Sequence, residues 1–142
     1  MFRPAARCIT EEVPDVSVFL AISDPLQRAL LVRALRRHGD LTVVGTEQDG
    51  CRALDAIVRD GPDVAVIEAG LPTLDGLALC RRLAQARPEV GTRVLLLDDG
   101  TPVTRDRAVA SGAAGCVPAT ATSAQLCDAV ASIANGGTIF YN

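Results

Sequence analysis

Residues 62–77 read Pro62-Asp63-Val64-Ala65-Val66-Ile67-Glu68-Ala69-Gly70-Leu71-Pro72-Thr73-Leu74-Asp75-Gly76-Leu77. An apolar run at 63–67 ends on an acid, a turn bearing Gly and Pro follows, and a helical pattern opens at Leu74 and continues to Ala86. The same unit of strand and helix recurs on both sides. Upstream, Val16-Ser17-Val18-Phe19-Leu20-Ala21-Ile22 lacks a wide polar alternation, as expected of a strand buried on both faces. Ser23-Asp24-Pro25 then supplies a side-chain cap and a proline at the first helical position, where its missing N–H costs nothing. That helix runs to about Arg37. Leu26, Leu30 and Ala34 fall on one stripe and Leu31 and Leu35 on its neighbour, and His38-Gly39 closes it.

Strands at 41–46, 94–97 and 113–117 and helices at 50–59, 103–110 and 122–134 complete the pattern, with Asn135-Gly136-Gly137 stopping the last helix. Strands alternating with helices through short loops predict an α/β domain with a doubly wound, five-stranded parallel sheet and five helices. In such sheets the chemistry lies past the carboxyl ends of the strands, which makes Ile22, Ser23, Asp24, Glu68, Asp98 and Ala119 the residues to question. Residues 1–14 carry no period and read as a poorly ordered leader, 15–135 as the domain, and 136–142 as the start of a linker.

Composition narrows the function. With 142 residues, 49% apolar and 22% charged, the chain has the balance of one globular domain. A net charge of -3 argues against gripping a phosphate backbone, which needs clustered cations. No apolar run is long enough to span a bilayer and the N-terminus lacks a signal-peptide core, so a cytoplasmic location is expected. Five cysteines without C-x-x-C spacing fit a reducing compartment, and four of them read as small core residues. The one histidine, His38, leaves no zinc cluster and no base beside a nucleophile. All 14 basic residues are Arg; the chain contains no lysine.

Three stretches carry a resemblance. They are Pro62-Asp63-Val64-Ala65-Val66-Ile67, then Leu71-Pro72-Thr73-Leu74-Asp75-Gly76-Leu77, then Ala110-Ser111-Gly112-Ala113-Ala114-Gly115. With them, roughly residues 16–137 resemble the receiver domain of two-component response regulators, most closely those of NarL/LuxR-type transcriptional regulators. The resemblance implies a flavodoxin- or CheY-like sheet in strand order 2-1-3-4-5. It also makes Pro72, Asp75 and Gly76 the shapers of the loop that follows the phosphoacceptor.

A typical member of that family uses an acidic pair to hold Mg²⁺, an aspartate nucleophile, a Thr or Ser for a phosphoryl oxygen and a lysine for charge. Laid on this chain without gaps, the pattern puts the acidic pair at Ile22 and Ser23, the nucleophile at Glu68, the Thr/Ser at Asp98 and the lysine at Ala119. Each has changed. A one-residue shift would bring Asp24 into the acidic pocket, but Pro25-Leu26 matches the ungapped register, in which Asp24 caps the first helix. The lysine loss is independent of register. The aromatic that such receivers use for read-out falls at Cys116.

The resemblance and its departures together lead to the expectation of a non-enzymatic, degenerate receiver. It would control a transcriptional regulator without phosphorylation, through dimerisation or ligand or partner binding, with Mg²⁺ weakly held or not at all. Glu68 reads as a solvated carboxylate at a strand end rather than a phosphate mimic, because Asp98 would repel it and Ala119 cannot respond. Glu68, Asp98, Asp99 and, in the shifted register, Asp24 gather negative charge that a divalent cation, a basic ligand or Arg105 would relieve, which leaves a small-molecule sensor as an alternative. A conventional phosphorelay receiver with a non-standard acceptor is another. A nucleotide-binding enzyme on the same scaffold finds no G-x-G-x-x-G, no G-x-x-x-x-G-K-[ST] and no nucleophile beside a base. DNA contact is expected only through a C-terminal helix-turn-helix domain outside these residues. A homodimer is expected as well, with Leu31 and Leu35 offering surface for it.

Overall fold

The structure is a computed structural model and describes residues 15–86, 91–98 and 105–140. Strands β1 (Val16–Ala21), β2 (Leu41–Glu47), β3 (Val64–Glu68), β4 (Arg93–Asp98), β5 (Gly115–Pro118) and β6 (Ile139–Phe140) form one sheet in the order β2-β1-β3-β4-β5-β6. Every pairing is parallel. Helices α1 (Pro25–Arg37), α2 (Gly50–Asp60), α3 (Gly76–Gln85), α4 (Arg105–Ala110) and α5 (Ser123–Ala134) make the crossovers. The fold is the doubly wound α/β arrangement read from the sequence, with one short strand added beyond β5.

Two apolar layers sandwich the sheet. On one side Leu31 and Leu35 of α1 and Leu126, Val130 and Ile133 of α5 meet Val18, Leu20, Val66 and Leu95. On the other, Ile57 of α2, Leu79 and Leu83 of α3 and Ala108 of α4 meet Phe19, Ala65, Ile67 and Leu96. Because both faces are covered, all five residues of β3 are buried. This explains its unbroken apolar run.

Leu31 and Leu35 therefore belong to the core, which corrects their expected role as dimer surface. Helical phase decides it. The pair i, i+4 facing the sheet is 31 and 35, which turns Leu26 and Leu30 outward to 68% and 55% exposure. The cysteine expectation also needs amending: Cys80, Cys116 and Cys127 are buried, whereas Cys51, in the first turn of α2, is exposed.

Helix starts follow their caps. Asp24, Asp49 and Asp75 accept from the backbone N–H of Leu26, Arg52 and Ala78, and Thr122 and Gln125 close a reciprocal capping box. The third helix thus begins at Gly76, not Leu74. The expected start of the fourth helix at Val103 lies outside the described residues, as do Cys8 and Asp99.

Gly76 is the tightest joint between α3 and the end of β3. A Cβ there would stand 2.5 Å from the Glu68 carbonyl oxygen and 2.8 Å from Ala69 Cα. Gly76→Ala should cost about 1–3 kcal/mol by forcing that backbone apart. Urea unfolding checks it, and an unchanged midpoint would contradict the contact.

Candidate functional site

β1, β3, β4 and β5 all end at one edge of the sheet, and Glu68 ends the central one. Its side chain is not solvated, contrary to expectation: only 5% of the residue is exposed. The cause is the partner that β1 delivers. Ala21 pairs with Ile67, so the chain leaving β1 passes directly over the end of β3. There the Ser23 backbone N–H donates to Glu68 Oε1 at 2.8 Å, and Ser23 Oγ lies 3.1 Å from Oε1 and 2.9 Å from Oε2. Donors aimed at both oxygens replace the water that the carboxyl group loses on burial, which is what holding it there requires.

The neighbouring site positions have separate fates. Ile22 is fully buried, and its N–H donates to the Glu47 carbonyl at 3.0 Å. Asp24 caps α1, accepting from the Leu26 N–H at 3.0 Å. Asp98 is half-buried at the end of β4, and its carbonyl accepts the Ala119 N–H. Ala119 packs against the α1/α5 apolar layer. Cys116 lies on the opposite layer, where burial pushes its thiol pKa up and the Asp98 charge adds to the shift. A thiol held protonated in this way is a poor nucleophile. Among the described residues no group of three or more His, Cys, Asp or Glu is placed to hold a metal ion.

The loop from Ala69 to Asp75 is clamped on both sides. Gly76 N–H donates back to the Ala69 carbonyl at 2.9 Å, and the Pro72 carbonyl accepts from Gly50 N–H at 2.9 Å. Thr73 Oγ1 donates to Asp49 at 3.0 Å and accepts from Cys51 N–H at 3.1 Å. Thr73 has a φ of 67°, a left-handed conformation that is strained for a β-branched residue and is held here by those bonds. The Asp49 carboxyl is held below its ordinary pKa, mainly by the Arg52 backbone N–H, with Thr73 contributing.

Sequence reasoning misses two participants, Arg28 and Thr73, and the role of a third, Ser23. Ser23 was counted as a lost acid, not as the partner of Glu68. Arg28 donates to the Ile22 carbonyl at 2.7 Å and reaches the Ser23 carbonyl at 3.5 Å. Its position in the first turn of α1 was the available signal, since helical side chains lean towards the N-terminus. Thr73 carried no signal, because a left-handed threonine is not a sequence pattern. Arg105, expected as a relief for the acidic cleft, instead sits 5.6 Å above the Phe140 ring.

The family model described as the response regulator receiver domain matches residues 18–131. The chain belongs to this receiver family. Among its relatives is the probable transcriptional regulatory protein NarL of Mycobacterium tuberculosis, 34% identical over 122 residues, covering 85% of this chain and 56% of that protein. The receiver domain of the putative response regulator NarL from that organism superposes with a TM-score of 0.79, covering 87% of this chain and 99% of the other. The response regulator ChrA of a heme-sensing two-component system is 32% identical, with a TM-score of 0.73 over 89% of this chain and 60% of that one. This receiver is thus close to NarL/LuxR-type regulators, and the chain spans about half the length of the curated relatives it matches. Other relatives are methylesterases with receiver segments, so the family serves more than one output. No described helix of this receiver is long and apolar enough to cross a membrane.

Ser23→Ala removes a hydroxyl from a buried carboxyl group. It should lower unfolding free energy by about 1.5–3 kcal/mol, with an unchanged denaturant slope. A loss below about 0.5 kcal/mol in urea unfolding would mean that the Ser23 hydroxyl contributes little.

Proposed function

We propose that this receiver regulates a transcription factor without being phosphorylated, its phosphoryl pocket having been replaced by an internally satisfied carboxylate. The single observation that carries the reading is the clasp between Ser23 and Glu68, which engages both carboxylate oxygens. Glu68 stands where the family pattern puts the acceptor, and Ser23 where it puts an acid. A nucleophile needs a free oxygen facing an incoming phosphoryl group, and here those oxygens are turned into the protein.

Charge supports the same reading. Phosphoryl transfer is catalysed by positioning and by compensating charge. The chain has no lysine, and the position the family pattern gives to lysine is Ala119. Arg28, the cation placed beside Ser23, spends its guanidinium on the Ile22 carbonyl. The donor set does not suit Mg²⁺, which wants near-octahedral oxygen ligands with one or two carboxylates, because Ile22 offers no side-chain ligand and Asp24 is turned to its cap. Mg²⁺ binding is therefore weak or absent.

The regulator's output follows from its kind. Relatives named as transcriptional regulators are about twice the length matched here. In the full protein DNA would be gripped by a C-terminal domain, with this receiver setting its availability through dimerisation or through a ligand or partner. The exposed Leu26 and Leu30 on α1 give a homodimer apolar surface that Leu31 and Leu35 do not.

Incubation with acetyl phosphate and Mg²⁺, followed by intact-mass measurement, tests the reading. No phosphoryl adduct is expected under conditions that label a conventional receiver run in parallel. A stoichiometric adduct mapping to Glu68 or Asp98 would overturn it.

A further inference from the structure

The C-terminal segment does not leave the domain after α5. Ile139 and Phe140 add a sixth parallel strand to the sheet, Ile139 opposite Gly115 and Phe140 opposite Cys116. The Ile139 N–H donates to the Ala114 carbonyl at 3.3 Å, and Arg93 Nη2 donates to the Gly137 carbonyl at 3.1 Å. Gly115 is needed for the approach, since a Cβ there would stand 2.5 Å from the Ile139 carbonyl oxygen.

The two side chains of β6 divide between the faces. Ile139 packs on the α1/α5 layer, and Phe140 on the layer that holds Cys116 and Ala108. Parallel partners share a face, so the Phe140 ring lies beside the small Cys116 side chain. Above it sits Arg105, the first residue of α4. The segment is held by backbone pairing with β5, by Ile139 in the α1/α5 layer, by the Arg93 bond to Gly137, by a ring beside Cys116 and by a cation from a helix that follows Asp98 in the chain.

We propose that residues 137–140 are a releasable latch, in which Phe140, seated beside Cys116 beneath Arg105, makes the attachment of everything that follows it depend on the position of α4. The proposal rests on the regulatory reading above and supplies its output element. A two-residue strand is weakly held by itself, so a contact of cation–π size suffices to shift it between docked and free.

Amide hydrogen exchange on the 142-residue chain tests the latch without phosphate or DNA. In the unaltered chain the Ile139 amide should exchange at least about tenfold more slowly than an unstructured amide. Arg105→Ala should speed that exchange about two- to fivefold while Val66 and Leu96 in the central strands stay unchanged, and Arg105→Lys should largely restore it. Phe140→Ala should speed it further. Cys116→Phe puts a second ring into the space beside Phe140 and should release Ile139. Combining it with Phe140→Ala should recover thermal stability lost in Phe140→Ala without restoring Ile139 protection.

Exchange of Ile139 at the unstructured rate in the unaltered chain would overturn the latch. So would protection that Arg105→Ala leaves untouched, whatever Cys116→Phe does, because β6 would then be a static cap on the sheet that does not depend on α4. Neither result bears on whether Glu68 accepts phosphate. The labelling experiment decides that separately.

Discussion

A carboxylate buried at the end of the central strand is the constraint around which the rest of this domain is arranged. Taking an ionised side chain out of water is expensive unless hydrogen-bond donors replace the water it loses. Ser23 meets that need with its N–H and its hydroxyl, and it can do so only if β1 and β3 stay in register and the chain turns into α1 immediately afterwards. The Asp24 cap and the Arg28 bond to the Ile22 carbonyl fix that turn. The residues that follow β1 and end β3 are thereby committed to one another and to the turn into α1.

The loop after Glu68 shows the same economy. Thr73 accepts a left-handed backbone because Asp49 and Cys51 hold its hydroxyl, and the Gly50 N–H holds the Pro72 carbonyl. Gly76 then lets α3 start against the Glu68 carbonyl. One end of the sheet is thereby braced by backbone contacts that leave little freedom at β3. At the far side, β6 joins β5 through a short pairing, with Ile139 in the α1/α5 layer, Arg93 bonded to the Gly137 carbonyl and Arg105 over the Phe140 ring. If β6 is released as we propose, the domain signals from that side of the sheet rather than from the end of β3.

Most of the architecture was legible in the sequence because its causes are local. Apolar runs at 63–67 and 94–97 mark buried parallel strands, and Asp24-Pro25 and Thr122 mark helix starts. Which residues stand at the carboxyl ends of the strands was legible too, since a parallel sheet fixes that. What each side chain does there was less accessible. Glu68 was read as solvated because its burial depends on Ser23, 45 residues earlier. The facing of Leu31 and Leu35 turns on a helical phase that two adjacent leucine stripes leave ambiguous. Strand β6 escaped notice because Ile139-Phe140 is too short to show a period and lies in the stretch read as the start of a linker.

The backbone amide of Ser23 reports most directly on whether Glu68 remains internally satisfied. Its resonance should be followed while the chain is titrated with Mg²⁺ and beryllofluoride, a mimic of the phosphoryl group. If the carboxylate is held as described, the Ser23 signal stays in place to saturating concentrations. A saturable shift at Ser23, with Glu68 moving alongside it, would mean that the clasp opens to admit a phosphoryl group and would contradict the account.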